Sequence, residues 1–273
     1  MKCIVCDKGN FAIKVYTDGM RWDCLGYDRC IIKCLNCGLM FIFPMWTQEE
    51  LDKFYEKYTE QKDFSWQKPV VKITKYLTKY IRKSDMVLEI GCGRGDDVKC
   101  LNRLGYQVDG IDKEGTYCDN FHIFNIDYKE HNCCVNFIYA IQVFEHMDDP
   151  YSFIRKIIEM LADGGKFLLE FPNLDDPLLS LYRIKTFKKY YYTPHHLFYW
   201  TPKTVKMFFD KMGMKVKIKL LQRYGILNHL RWIIFGVSGN WHPHIFILDN
   251  IYKFILTHIF KISDTLIVIG EKN

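Results

Sequence analysis

The sequence predicts an α/β protein: a doubly wound, mostly parallel sheet of seven strands, with a small module ahead of it. Three observations predict this. From residue 86 onward, short apolar runs alternate with amphipathic helical segments. A glycine-rich turn, Gly91-Cys92-Gly93-Arg94-Gly95, joins the first of those runs to the first of those helices. Six of the eleven cysteines lie in the first 37 residues, which sets that stretch apart in composition.

The 273 residues suffice for one large domain and a small one. Hydrophobic residues make up 49% and charged residues 26%, the balance of a globular chain. The formal net charge of +6 is spread along the chain. It suits an anionic substrate or a membrane surface and is too weak to indicate nucleic acid by itself. Met1 is followed at once by Lys2 and Cys3, without the apolar stretch of a signal peptide. No apolar run reaches the roughly 18 residues that a spanning helix needs. The expected setting is therefore reducing and cytoplasmic, where clustered cysteines bind metal rather than form disulfides.

Residues 1–45 carry two pairs of one spacing, Cys3-Ile-Val-Cys6 and Cys34-Leu-Asn-Cys37. Each pair turns two thiolates onto one ion at a knuckle. Together Cys3, Cys6, Cys34 and Cys37 make a closed tetrahedral set for a structural zinc. The stretches FAIKVY and CIIKC between the pairs read as strands. A small N-terminal zinc ribbon is expected, with the metal supplying much of its folding energy. Cys24 and Cys30 are surplus and read as buried filler.

Residues 46–84 read as a helical bridge. Thr47 with Glu50 forms a capping box, and Leu51, Phe54, Tyr55 and Tyr58 follow at helical spacing. Pro69 opens a second helix with Val70, Ile73, Leu77, Tyr80 and Ile81 on one face.

Residues 85–273 carry the sheet. Strands are expected at 86–90, 107–111, 121–126, 137–142, 166–171, 214–220 and 265–269. Helices are expected over 97–104, ended by Gly105; from Asp149-Pro150 through 162; and from Thr201-Pro202 to Gly213.

The turn after the first strand carries the chemistry. Gly91, Gly93 and Gly95 are spaced G-x-G-x-G, so the third glycine of the dinucleotide fingerprint is out of register. Asp112 ends the next strand, placed to accept hydrogen bonds from a ribose diol. Asp127 ends the third, placed for an adenine amino group. Glu89 stands inside an apolar run and needs a donor, a ligand ammonium or a backbone N–H, to offset its burial.

The stretches 87-VLEIGCGRG-95 and 143-VFEHMDDP-150, with Asp112, resemble class I S-adenosylmethionine-dependent methyltransferases, over about residues 86–220 and the last strand. The resemblance implies the Rossmann-like methyltransferase fold with S-adenosylmethionine as cofactor. It implies Glu89, Gly91, Cys92, Gly93 and Gly95 at the methionine part, Asp112 at the ribose and Asp127 at the adenine. It places Gln142 near the methionine amine or the methyl group. Cys92, with no base paired to it in sequence, reads as a small side chain beside the cofactor and not as a nucleophile. A four-cysteine ribbon joined to this core is similar to methyltransferases of sugar and surface-polysaccharide biosynthesis. That implies a small sugar, nucleotide-sugar or glycan acceptor.

Methyl transfer needs the acceptor atom held about 3 Å from the methyl carbon, water excluded and, for an alcohol, amine or carbon acid, a base. The candidates cluster in 189-KYYYTPHHLFYWT-201, after the fifth strand. The resemblance favours His196 as base, then His195, with Tyr192 orienting the acceptor or sharing the proton. The other role open to His196 is to cap or pack the helix that starts at Thr201. His146 reads as structural. The aromatics from Tyr190 to Trp200 read either as a sugar-stacking wall or as core. Arg183, Lys185, Lys188 and Lys189 read either as a site for a diphosphate or charged glycan or as a solvated face.

Between the sixth and seventh strands, a helical insertion at about 224–262 places Leu227, Leu230, Ile234, Ile247, Ile251 and Phe254 at helical spacing. A lid, a dimer face, a peripheral membrane contact and core packing on the bridge helices are all open readings. The rival function is an RNA methyltransferase that grips RNA with the ribbon. Residues 1–46 oppose it: their only cations, Lys2, Lys8, Lys14, Arg21, Arg29 and Lys33, stand against Asp7, Asp18, Asp23 and Asp28. That is no electrostatic funnel, so nucleic acid is not the expected partner. A non-catalytic binding subunit is opposed by the intact glycine turn, Asp112 and His196.

Overall fold

The computed structural model describes residues 1–16, 29–47, 49–51, 53, 74, 76–113, 122–193, 195–237 and 246–272. The described strands form two sheets. The smaller has the order β1 (Phe11–Tyr16), β2 (Cys30–Cys34), β3 (Met40–Phe43) and β9 (Phe198–Tyr199). The larger has seven strands in the order β10 (Val216–Leu221), β11 (Thr265–Glu271), β8 (Leu161–Pro172), β7 (Val135–Ile141), β4 (Met86–Ile90), β5 (Gln107–Asp112) and β6 (Ile123–Asn125). The pairs β4–β5, β4–β7, β5–β6 and β7–β8 are parallel, as the alternating pattern predicts. The chain runs outward from β4 through β5 to β6, then returns to β7 on the other side of β4. That reversal makes a topological switch point, where doubly wound sheets open a crevice at their carboxyl ends.

The chain folds as two compact units: Met1–Lys57 with Phe171–Ile267, and Tyr58–Glu170 with Val268–Asn273. The second unit holds β4 to β7 and, among its described helices, α1 (Asp96–Arg103) and α2 (Pro150–Met160). Its core is the continuous apolar run of each central strand: Val87, Leu88 and Ile90 from β4 and Phe137, Ile138 and Ala140 from β7 are buried. Asp149 caps α2 as expected, its carboxylate accepting from the N–H groups of Tyr151 and Ser152 at 3.1 Å. The helix ends at Met160, two residues earlier than the pattern suggests, because Leu161 already pairs with Val135. Lys166 then pairs with Phe137, so the expected Asp163-Gly164-Gly165 turn is a bulge inside a longer strand. Lys272 fixes that bulge: its N–H donates to Gly165 O at 2.8 Å and its carbonyl accepts from Gly164 N at 3.1 Å.

The first unit carries the cysteine strands and, among its described helices, α3 (Pro177–Ser180), α4 (Lys185–Tyr191), α5 (Pro202–Lys211), α6 (Ile226–Phe235) and α7 (Phe246–Phe254), the last running into a π-helical turn at Ile255–Ile259. Trp200, Phe208 and Phe209 are fully buried, Trp200 meeting Phe208 edge-on at 5.4 Å. The Thr47–Glu50 capping box forms, with Thr47 N donating to the Glu50 carboxylate at 2.8 Å and Glu50 N to Thr47 Oγ1 at 3.3 Å. Glu50 also pairs at 2.7 Å with Arg29, whose guanidinium lies over the Trp46 ring and donates to Pro44 O. Leu51, Leu77 and Ile81 are buried as their spacing predicts. Phe54, Tyr55, Tyr58, Pro69, Val70 and Ile73 of the expected bridge, with Cys24, lie outside the described residues.

Candidate active site

The glycine turn folds over the end of β5. Gly91 N and Cys92 N both donate to Ile111 O, at 2.8 and 3.2 Å. Gly93 N donates to Asp112 Oδ2 at 2.7 Å, so the acid at the end of β5 holds the turn. Gly93 and Gly95 are both left-handed, with φ of 56° and 67°, but they differ in what surrounds them. A Cβ on Gly95 would collide with Ile123 Cδ1, so this glycine serves packing. A Cβ on Gly93 would meet nothing within 4 Å, so this one leaves open space over the backbone, as a ligand lying against the turn requires.

The turn is electrostatically acidic. Glu89 is buried, and its donor is the Tyr139 hydroxyl at 3.0 Å. A side-chain hydroxyl thus adds to the donors expected for this carboxylate, a ligand ammonium or a backbone N–H. Burial pushes the Cys92 thiol up, and the carboxylates of Glu89 and Asp112 push it further. Cys92 is therefore a protonated thiol at neutral pH, in keeping with filler rather than nucleophile. The first turn of α1 adds Asp96 and Asp97, and the nearby Arg94 pairs with Asp96 at 3.3 Å.

Gln142 stands just past β7 in a left-handed conformation, φ 58°, rare for a residue with a side chain. Its N–H donates to Glu170 O at 2.7 Å, while its side-chain Nε2 is buried without a hydrogen-bond partner in the protein. A strained residue presenting an unsatisfied donor at the switch point is what a ligand acceptor would complete. Asp127 makes a local turn, accepting from Lys129 N at 2.9 Å on its carboxylate and from Glu130 N at 3.0 Å on its carbonyl. Sequence reasoning missed Tyr139; the signal was a hydroxyl in an apolar run, and the parallel register sets it directly beside Glu89.

His195, His196 and Tyr192 belong to the other unit. They lie on the segment between α4 and β9, whose shape is set by Tyr199: its hydroxyl donates to Thr193 O at 2.8 Å and accepts from Thr193 N at 3.1 Å. The two imidazoles diverge, with centroids 4.9 Å apart and planes at 77°. His195 is buried and His196 half-buried. The helix α5 is capped by its own residues: Thr201 Oγ1 accepts from Thr204 N, and Thr204 Oγ1 from Thr201 N at 2.9 Å. His196 is thus not its cap. Tyr192 packs against Tyr199 at 5.2 Å in an apolar cluster, and burial pushes its phenol up to about 12. Tyr191, Tyr192, Phe198, Tyr199 and Trp200 are all buried, which assigns this aromatic run to core and not to a sugar-stacking wall.

The four predicted cysteines converge. All ligand atoms of Cys3, Cys6, Cys34 and Cys37 lie within 4.8 Å of one another, with Cys3–Cys37 at 3.6 Å and Cys6–Cys34 at 3.5 Å. Zinc–thiolate bonds of about 2.3 Å in a tetrahedron put sulfurs about 3.8 Å apart, so the set fits zinc. Lys211 of α5 ties down the first knuckle, donating to Ile4 O at 3.0 Å and Asp7 Oδ1 at 2.7 Å.

A family profile described as a methyltransferase domain matches residues 57–217, more than half of the chain. The fold is similar to that of a SAM-dependent methyltransferase from Archaeoglobus fulgidus, with a TM-score of 0.50 at 18% identity, over 80% of this chain and 99% of that one. It is also similar to the plantazolicin methyltransferase solved with SAH (TM-score 0.48, 19% identity, 75% of this chain and 82% of that one). A third similar structure is a SAM-dependent methyltransferase from Thermotoga maritima (TM-score 0.47, 13% identity, 82% and 98%). The chain belongs to the methyltransferase-domain family.

Proposed function

We propose that this chain transfers the methyl group of S-adenosylmethionine to a small sugar, nucleotide-sugar or glycan acceptor. The observation that carries the donor assignment is the charge of the glycine turn. Glu89, Asp112 and the acidic first turn of α1 surround it. A dinucleotide would bring a pyrophosphate to that helix N-terminus and meet carboxylates. The ammonium and sulfonium of S-adenosylmethionine meet them favourably.

When bound, the donor supplies a methyl group already activated on sulfur. Gly93 leaves room for it against the backbone, Glu89 and Gln142 receive its methionine part, Asp112 its ribose and Asp127 its adenine. His196 takes the acceptor's proton on a ring nitrogen, with His195 second in line. Tyr192, with a phenol that stays protonated, packs the segment that positions them. Cys3, Cys6, Cys34 and Cys37 hold a structural zinc, making 1–45 a ribbon. Residues 46–84 serve as a bridge and 85–273 as the catalytic domain with its 224–262 insertion. The sugar assignment rests on the pairing of a ribbon with this core and on the weak net positive charge of residues 1–46, six cations against four acids.

Isothermal titration with S-adenosylmethionine tests the donor. The wild type should bind, and Asp112→Ala should lose about tenfold or more in affinity. No binding by the wild type would sink the donor assignment. Labelled donor offered with nucleotide sugars and, separately, with RNA tests the acceptor. Label in RNA would refute the sugar reading.

A further inference from the structure

The insertion is inside-out. The helices α6 and α7 form a pair whose polar side chains face the protein: His229 is 1% exposed and Asp249 5%. Asp249 accepts from Ile226 N at 3.0 Å, and His229 bonds Tyr252, whose hydroxyl meets Tyr182 at 2.9 Å. The apolar side faces out, with Ile234 65%, Phe235 68%, Phe246 76% and Ile247 72% exposed. Ile251 and Phe254 extend the same face. A pair of helices that hides its polar groups and shows its apolar ones is stable only where something apolar covers it.

Charge decides what covers it. Asp249 is the sole acid between residues 223 and 262, and it is turned inward. The exposed charges on α6 and just beyond the π-helical turn, Arg231 and Lys261, are cationic. The helix α4 adds more. It packs on α6 through Phe187 against Trp232 at 5.0 Å and sets Thr186 against Gly236, so exposed Lys185, Lys188 and Lys189 border the apolar face. No helix among the described residues is long and apolar enough to cross a membrane. A second copy on this face would bring the same cations to it and no exposed acid from its own 223–262 stretch to receive them.

We infer that the α6–α7 pair seats in the surface of an anionic lipid bilayer, its apolar face among the acyl chains and the α4 lysines on the headgroups. This seating does not depend on which acceptor is methylated.

Co-sedimentation of the full chain with phosphatidylcholine vesicles, with and without phosphatidylglycerol, tests it. Binding should require phosphatidylglycerol and weaken as salt rises. The double variant F246S/I247S should bind about tenfold more weakly or worse. The charge variant K185E/K188E, on a different element, should lose the preference for phosphatidylglycerol. Circular-dichroism melting confirms that both variants are folded, a readout separate from donor binding. Wild-type protein that stays in the supernatant, or F246S/I247S binding like wild type, would overturn the proposal. So would a lipid-free dimer by light scattering that F246S/I247S dissociates.

Discussion

Tyr139 donates its hydroxyl to the Glu89 carboxylate at 3.0 Å, across the parallel register of β7 and β4, with both side chains buried. Burial, the adjoining Glu89 carboxylate and Asp97 hold the phenol protonated well above its usual range, so it remains a donor at every working pH. Hydrogen bonds to charged buried groups are worth about 1.5–3 kcal/mol. Tyr139→Phe should lower the stability of the protein by that amount in urea unfolding, and it should weaken S-adenosylmethionine binding because Glu89 loses a support. A change below about 0.5 kcal/mol would mean the hydroxyl is dispensable to the carboxylate.

Gly93 and Gly95 should separate ligand binding from folding. Gly93→Ala costs about 1–2 kcal/mol for a left-handed residue, with no collision. Its methyl group occupies the space over the turn, so donor affinity should fall far more than stability. Gly95→Ala drives a Cβ into buried Ile123 and should destabilise by a further 1–3 kcal/mol, roughly the cost of overpacking. Equal melting temperatures for the two variants would contradict this division.

His196→Ala should reduce kcat by about a hundredfold or more while leaving donor affinity unchanged, the signature of a lost base. His195→Ala, removing a buried ring, should instead lower stability. A kcat unaffected by His196→Ala would move the base elsewhere.

Elemental analysis should find about one zinc per chain, lost in Cys34→Ser. Because the cysteine strands continue through β3 into β9, chelation should increase proteolysis near residues 193–200 as well as in the knuckles. Cleavage confined to the first 45 residues would show that β9 holds its place without the metal.

His229 links stability to pH. Burial, with Lys253 nearby, lowers its pKa from 6.5 to about 4. Gln222 Nε2 stands 3.3 Å from its Nε2, so that nitrogen accepts and Nδ1 carries the proton toward Tyr252. The folded pKa lies below the unfolded one, so the unfolded chain takes up the proton first. Stability from this group is therefore lost as pH falls from 6.5 to about 4, by about 3 kcal/mol in all. Burial raises Asp176 and Asp264, which act in the opposite sense, so the test is the difference between the wild type and His229→Gln across that window. A constant difference would show that His229 is not buried neutral.

The parts of the fold that were legible in the sequence are those set by local chemistry. Period and capping located β4, β5, α2 and α5, because apolar runs, Asp149-Pro150 and Thr201-Pro202 act on their own neighbours. The paired cysteines were legible because two knuckles of one spacing admit a single closed set. The bulge in β8 was not, since only the strands beside it make Asp163-Gly164-Gly165 part of a ladder instead of a turn.

By itself the sequence determined the α/β sheet, the glycine turn with its acids and the four sulfurs, since each follows from residue type and spacing. Tertiary structure alone decided that the Tyr139 hydroxyl reaches Glu89, whether Gly93 or Gly95 leaves room for a ligand, and that the aromatics from Tyr191 to Trp200 are buried in the core. It also turned the 224–262 helices polar side inward. Helical spacing shows that one face is apolar, but whether that face is covered depends on which neighbours the rest of the chain brings to it.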